Sequence, residues 1–203
     1  MQKPNSYDET QAQGEFIPVE LGGHKMVVKQ VSERQSRNGK PMIVVLFDFA
    51  QDDVQEGYFA KQFADDIRPD KKWPNQATQY ILTEDENGNC SRSFKTFCTC
   101  VENSNPKFSC WKSDDTFNFQ GIKNKKVGGV FGLQMDYYNS KELEKRVLRW
   151  FVSIDKVADA RIPDMSETQA YKNHINGYPA GSVPSGDGFM NIPDGIDEEL
   201  PFN

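Results

Sequence analysis

The chain has 203 residues, 36% of them hydrophobic and 27% charged, enough apolar material for one domain of ordinary size with extensions. Its net charge of −6 is uneven: residues 166–203 carry six acids against Lys172, whereas the first 165 residues hold 24 acids and 23 bases. No apolar run is long enough to cross a bilayer, and the start MQKPNSYDET lacks the apolar segment of a signal peptide, which argues against membrane and secreted classes.

Four cysteines (Cys90, Cys98, Cys100, Cys110) without an export signal predict reduced thiols in a cytoplasm. Because the acidity is concentrated at the C-terminal end, the capacity to bind a polyanion has to be judged on the near-neutral body. Aromatic residues reach 12%, fourteen of them Phe, more than a small core needs, so some rings are expected to face solvent or a ligand.

Residues 1–16 are polar and predict a flexible segment ahead of a domain spanning 17–165. HKMVVKQV (24–31) reads as a first strand, followed by a loop whose Asn38-Gly39 favours a tight turn. MIVVLFDF (42–49) is a second strand, with Ile43, Val45, Phe47 and Phe49 on one face, and EGYFAKQF (56–63) reads as a third.

Phe94, Phe97, Cys98 and Val101 then fall at i, i+3, i+4 and i+7, predicting an amphipathic helix over 91–103 capped by Ser91 or Ser93. KVGGVFGLQMDYY (126–138) and RVLRWFVSIDKV (146–157) supply two more strands, with the charged NSKELEK between them as a hairpin loop. Gly128, Gly129 and Gly132 suit a strand that bends sharply. Five strands with one helix between the third and fourth is the order of the OB-fold, a partly open five-stranded barrel, and that is the fold class expected. Residues 166–203 predict a disordered, Gly/Pro-rich acidic tail: 176–203 hold five glycines and four prolines without periodicity.

An OB barrel binds oligonucleotides on its second and third strands and through its first and fourth hairpin loops. Single-stranded nucleic acid needs cations along its phosphates and aromatic faces for its bases. The candidates are Lys29, Arg34, Arg37 and Lys40 around the first hairpin, Tyr58, Phe59 and Lys61 on the expected third strand, and Trp73 after Lys71-Lys72. Lys123, Lys125 and Lys126 precede the fourth strand. On the last strand Arg149 and Phe151 share a face, leaving Leu148, Trp150, Val152 and Ile154 to the core. Lysine clusters in loops are usually solvated surface, and strand phenylalanines are usually core, so it is the recurrence of base-plus-aromatic groupings that carries the expectation.

Catalytic and metal readings are weak. On a helix Cys98 and Cys100 would point about 200° apart, so they cannot chelate one ion together. Only His24 and His174 are available as histidines, and the acid pairs Asp52-Asp53, Asp65-Asp66 and Asp114-Asp115 fall in predicted turns. No catalytic residue, metal or cofactor is expected.

The sequence closes IDEELPFN, in which Asp197, Glu198 and Glu199 precede Leu200, Pro201 and Phe202. This resembles the acidic tip of bacterial-type single-stranded DNA-binding proteins, where acids precede an aliphatic residue and a closing Pro-Phe; here Asn203 follows the Phe. The stretches GGHKMVVKQV, FKTFCTCVENSNPKF, KVGGVFG and LRWFVSIDKV, within residues 15–160, resemble phage- and prophage-encoded proteins of this class. The resemblance implies an OB-fold body that coats single-stranded DNA in replication, recombination and repair, in a host cytoplasm. It also implies a tip that recruits replication and recombination proteins. No membrane partner is expected, and self-association is left open. The alternative is an OB-like interaction module that regulates a nuclease, recombinase or polymerase without holding DNA.

Overall fold

The computed structural model describes residues 3–4 and 17–177. It is mainly β: β1 (Gly22–Gln35), β2 (Pro41–Phe49), α1 (Tyr58–Asp65), β3 (Thr78–Leu82), α2 (Arg92–Ser104), β4 (Lys126–Tyr138), β5 (Lys141–Val152), β6 (Ser166–Glu167) and α3 (Gln169–Ile175). These strands form one six-stranded sheet in the order β3-β2-β1-β4-β5, with the short β6 parallel to β4 and every other pairing antiparallel. β1 is shared between two neighbours: Gly22–Val27 pair with β4, and the stretch from Met26 to Gln35 pairs with β2. The outer strands β3 and β5 form no ladder with each other among the described residues. The turn just before β3 reaches β5, where the Gln76 side-chain amide donates to the Arg146 carbonyl. The expected order of five strands is thus met by a six-stranded sheet whose ladder does not close into a barrel among the described residues.

Two elements differ from the sequence pattern. The run 56–63, marked as a strand by its apolar residues, is the helix α1. Its N-terminal residue Gly57 offers no side-chain cap, and the missing acceptor comes from β2, where Asp48 accepts from the Phe59 backbone N–H at 3.0 Å. Burial pushes the Asp48 carboxyl up, while the N–H groups of Phe59 and Phe49 pull it down by less. The third strand is instead TQYIL (78–82), paired with Met42–Leu46.

The last hairpin also differs. Its turn is just Asn139-Ser140, both with positive φ (49° and 61°), so the ladder runs on through the charged stretch and β5 spans 141–152. Residues 166–177, read from sequence as the start of the tail, form β6 and α3. There Thr168 caps α3 by accepting from the Tyr171 N–H at 3.2 Å, and it donates to Asp136 at 2.7 Å. His174 stacks on Tyr137 at 3.7 Å between ring centroids.

Met26, Val28, Ile43, Val45, Phe47, Phe49, Phe59 and Phe131 fill one face of the sheet. Each fully buried side chain of this size contributes about 1.5–3 kcal/mol. α2 closes the same core with Phe94, Phe97, Cys98 and Val101, the expected stripe, and with Cys100. Its cap is Ser91, which accepts from the Phe94 N–H at 3.2 Å. β-Bulges break the alternation at Lys29 in β1 and at Arg149 in β5. The second has a direct consequence. One extra residue at 149 reverses the facing of those after it, so Leu148 and Phe151 are both buried and Trp150 stands 43% exposed. Phe151 is core and Trp150 is surface, the reverse of what strict alternation predicts.

The other face of β1 and β4 is covered by residues 157–163. A Cβ on Gly23 would lie 2.1 Å from the Val157 carbonyl oxygen, one on Gly128 2.5 Å from a Val157 methyl, and one on Gly132 2.4 Å from the Pro163 ring. Gly128 and Gly132 thus make room for this strap, and Gly129 makes room for Met26 in the core. At the same end, buried His24 stacks on Phe49 at 4.2 Å. Its Nδ1 lies 2.9 Å from Asp53 and its Nε2 3.0 Å from the Glu20 carbonyl. Burial raises the Asp53 carboxyl, but the bonds from His24, Gln55 and Lys25 outweigh it and leave it below the usual range. No helix among the described residues is long and apolar enough to cross a membrane.

Candidate nucleic-acid interface

With Ile43, Val45 and Phe47 turned to the core, ladder alternation turns Met42, Val44 and Leu46 to the opposite face. Their partners there are Arg34, Ser32 and Gln30 of β1 and Leu82, Tyr80 and Thr78 of β3. At the Leu46 end, the β1 bulge carries Lys29, α1 brings Phe63 and the stretch between α1 and β3 brings Trp73 alongside. Together Lys29, Gln30, Leu46, Phe63 and Trp73 line a depression of about 230 Å³.

The rings in it are fixed. Trp73 donates its indole N–H to the Phe47 carbonyl at 3.2 Å and lies 5.6 Å from the Phe63 ring at 43°. Lys71 Nζ sits 4.8 Å above Phe63. Along the same face Tyr80 is half-buried; burial pushes its hydroxyl up, and nearby Arg34 pulls the other way. Arg34 and Arg37 are exposed at the hairpin end, with Lys40 half-buried beside them. The face can offer ring surfaces to bases and cations to phosphates at both ends.

A second depression, of about 370 Å³, shares Lys29 with the first and also contains Asp52, Glu56, Asn124 and Lys126. Lys126 donates to Asp52 at 3.1 Å. Hydrogen bonds from Lys126 and Lys25 hold the Asp52 carboxyl below the usual range.

Of the residues singled out from sequence, Lys29, Arg34, Arg37, Lys40 and Trp73 gather on or around this face, and Lys126 borders it. Others do not. Tyr58 and Phe59 lie on α1; Tyr58 donates its hydroxyl to the Ile17 carbonyl at 2.7 Å, and Phe59 is fully buried. Lys61 is exposed on the same helix. Lys123 is exposed, whereas Lys125 stands over the Phe108 ring at 4.9 Å. Arg149 donates to the Leu133 and Asp164 carbonyls, both at 3.3 Å, and so holds the strap. Phe151 belongs to the core. Asp197, Glu198, Glu199, Leu200, Pro201 and Phe202 lie outside the described residues.

Sequence reasoning missed Phe63, Lys25 and Tyr80. The alternation of Thr78, Tyr80 and Leu82 is the signal that points to the last. Among the described residues no three His, Cys, Asp or Glu side chains gather to hold a metal ion. The chain matches no protein-family model and no curated protein.

Proposed function

We propose that the protein binds single-stranded DNA without strong sequence preference, as a phage- or prophage-type protein of replication and recombination, and is not an enzyme. One observation carries this reading: the fixed Phe63–Trp73 pair opens beside Lys29 and Lys71 on a sheet face that continues to Tyr80 and Arg34. Base–aromatic stacking contributes about 1–3 kcal/mol per base and tolerates any base, because every base has a π-face. The strand order, with α2 between β3 and β4 and β1 shared by β2 and β4, supports an OB-like body, and the Gln76–Arg146 bond beside β3 and β5 is consistent with a partly open barrel. The tip 197–202 recruits replication and recombination proteins in the host cytoplasm.

Fluorescence anisotropy with a labelled oligothymidine tests the binding. Affinity is expected to fall with salt as counterions are released. Absence of binding at low salt, with and without residues 178–203, contradicts the reading. Removing residues 194–203 is expected to leave strand binding intact or tighter and to abolish recovery of replication proteins.

A second reading, an OB-like module that regulates a nuclease, recombinase or polymerase by protein contact, is favoured by the near-neutral body and by Asp52 and Glu56 in the second depression. It predicts that oligothymidine does not compete with the protein partner.

A further inference from the structure

Lys25 of β1 and Lys126 at the start of β4 stand diagonally across the β1–β4 ladder, since Lys25 pairs with Gly128 and Val27 with Lys126. Diagonal neighbours on one sheet face are within reach of long side chains. Asp52, in the turn after β2, fits between their amines. One carboxylate oxygen accepts from Lys126 Nζ and the other from Lys25 Nζ, each at 3.1 Å. All three side chains are about half exposed, so this is an ion-pair bridge open to exchange with solvent anions.

The bridge borders the second depression, which shares Lys29 with the aromatic one. A strand whose base stacks against Trp73 and Phe63 would carry its backbone past Lys29 toward this spot. A phosphate presents two anionic oxygens to two amines much as the Asp52 carboxylate does. Building on the nucleic-acid reading above, we infer that Lys25 and Lys126 form a subsite for a backbone phosphate of the bound strand, and that Asp52 occupies it in the free protein as a built-in competitor. Binding then exchanges one anion for another at this subsite. The free protein consequently presents less positive charge than its lysines would suggest.

The test uses the full chain and labelled oligothymidine across a salt series, comparing wild type with Asp52→Asn. Asp114→Asn serves as a control that makes the same change of charge in an exposed turn elsewhere. Removing the competitor is expected to tighten binding roughly two- to fivefold at low salt, the size of a surface ion pair. If one more phosphate becomes fully neutralised, the log–log salt slope steepens by about 0.7. The gain should vanish when Lys25→Ala and Lys126→Ala are added to Asp52→Asn.

Tightening no greater than that of Asp114→Asn, or a gain that survives loss of both lysines, overturns the inference. If wild type binds while Asp52→Asn binds identically, the inference alone falls. If no variant binds oligothymidine, the nucleic-acid reading falls with it.

Discussion

Two halves of one sheet face are treated in opposite ways. Where β1 meets β4, the face away from the core is bare glycine at 23, 128 and 132, and the strap 157–163 lies directly on the backbone. Where β2 lies between β1 and β3, the equivalent face carries side chains instead: Leu46, Tyr80, Arg34 and Gln30, around a buried Val44. Glycine marks where the protein covers its own sheet. On the other half, side chains with rings and charges stand where the first half has glycine. The β1 bulge at Lys29 sits at the border of the two halves.

The comparison breaks most visibly on the covered half. Gly23→Val places its Cβ against the Val157 carbonyl oxygen and has to displace backbone, so it should lower unfolding free energy by about 3 kcal/mol or more in denaturant titrations. Tyr80→Ala on the other half should cost much less stability and weaken oligothymidine binding by about 1–3 kcal/mol, read by anisotropy. Equal effects on folding from both substitutions would erase the distinction between the halves.

Two further changes probe the edges. Thr168→Ala removes the cap of α3 and should cost that helix about 1 kcal/mol, seen as faster amide exchange over 169–175 with the aromatic depression unaffected. Lys29→Ala at the border should reduce the salt slope of binding by about 0.7 while leaving the melting temperature nearly unchanged.

The pH dependence separates two buried carboxylates. Asp53 has its folded pKa held below the ordinary value, so it contributes stability above about pH 4 that is lost as pH falls through the folded value. Asp48 has its folded pKa raised, so the cost of keeping it ionised is present at neutral pH and is relieved as pH falls through that value. Stability measured from pH 6 downward should show a weaker acid loss in Asp53→Asn than in wild type. An unchanged acid limb would contradict the His24–Asp53 account.

Much of the fold was legible because its signals are local. The helical stripe at 94, 97, 98 and 101, the Asn38-Gly39 turn and the alternation through 42–49 all lie within a few residues of what they determine. What the sequence hid depends on distant partners. α1 reads as a strand because its cap, Asp48, lies 11 residues upstream across a turn. β3 is only five residues long, and its place in the sheet is set by β2. The bulge at Arg149 leaves no mark in a run of alternating residues, yet it exchanges the roles of Trp150 and Phe151. In the candidate site, Trp73 and Lys29, both singled out from sequence, line the same depression. Phe63 and Tyr80 were not singled out, because each reaches the face through an element that the sequence pattern misplaced or missed.

The most direct test of the candidate face is the fluorescence of a Trp111→Phe/Trp150→Phe variant, which leaves Trp73 as the sole indole, titrated with oligothymidine at low salt. Stacking of bases in the depression lined by Phe63 and Lys29 predicts strong, saturable quenching that reverses as salt is raised. Saturable binding seen by anisotropy with Trp73 emission unchanged would contradict it.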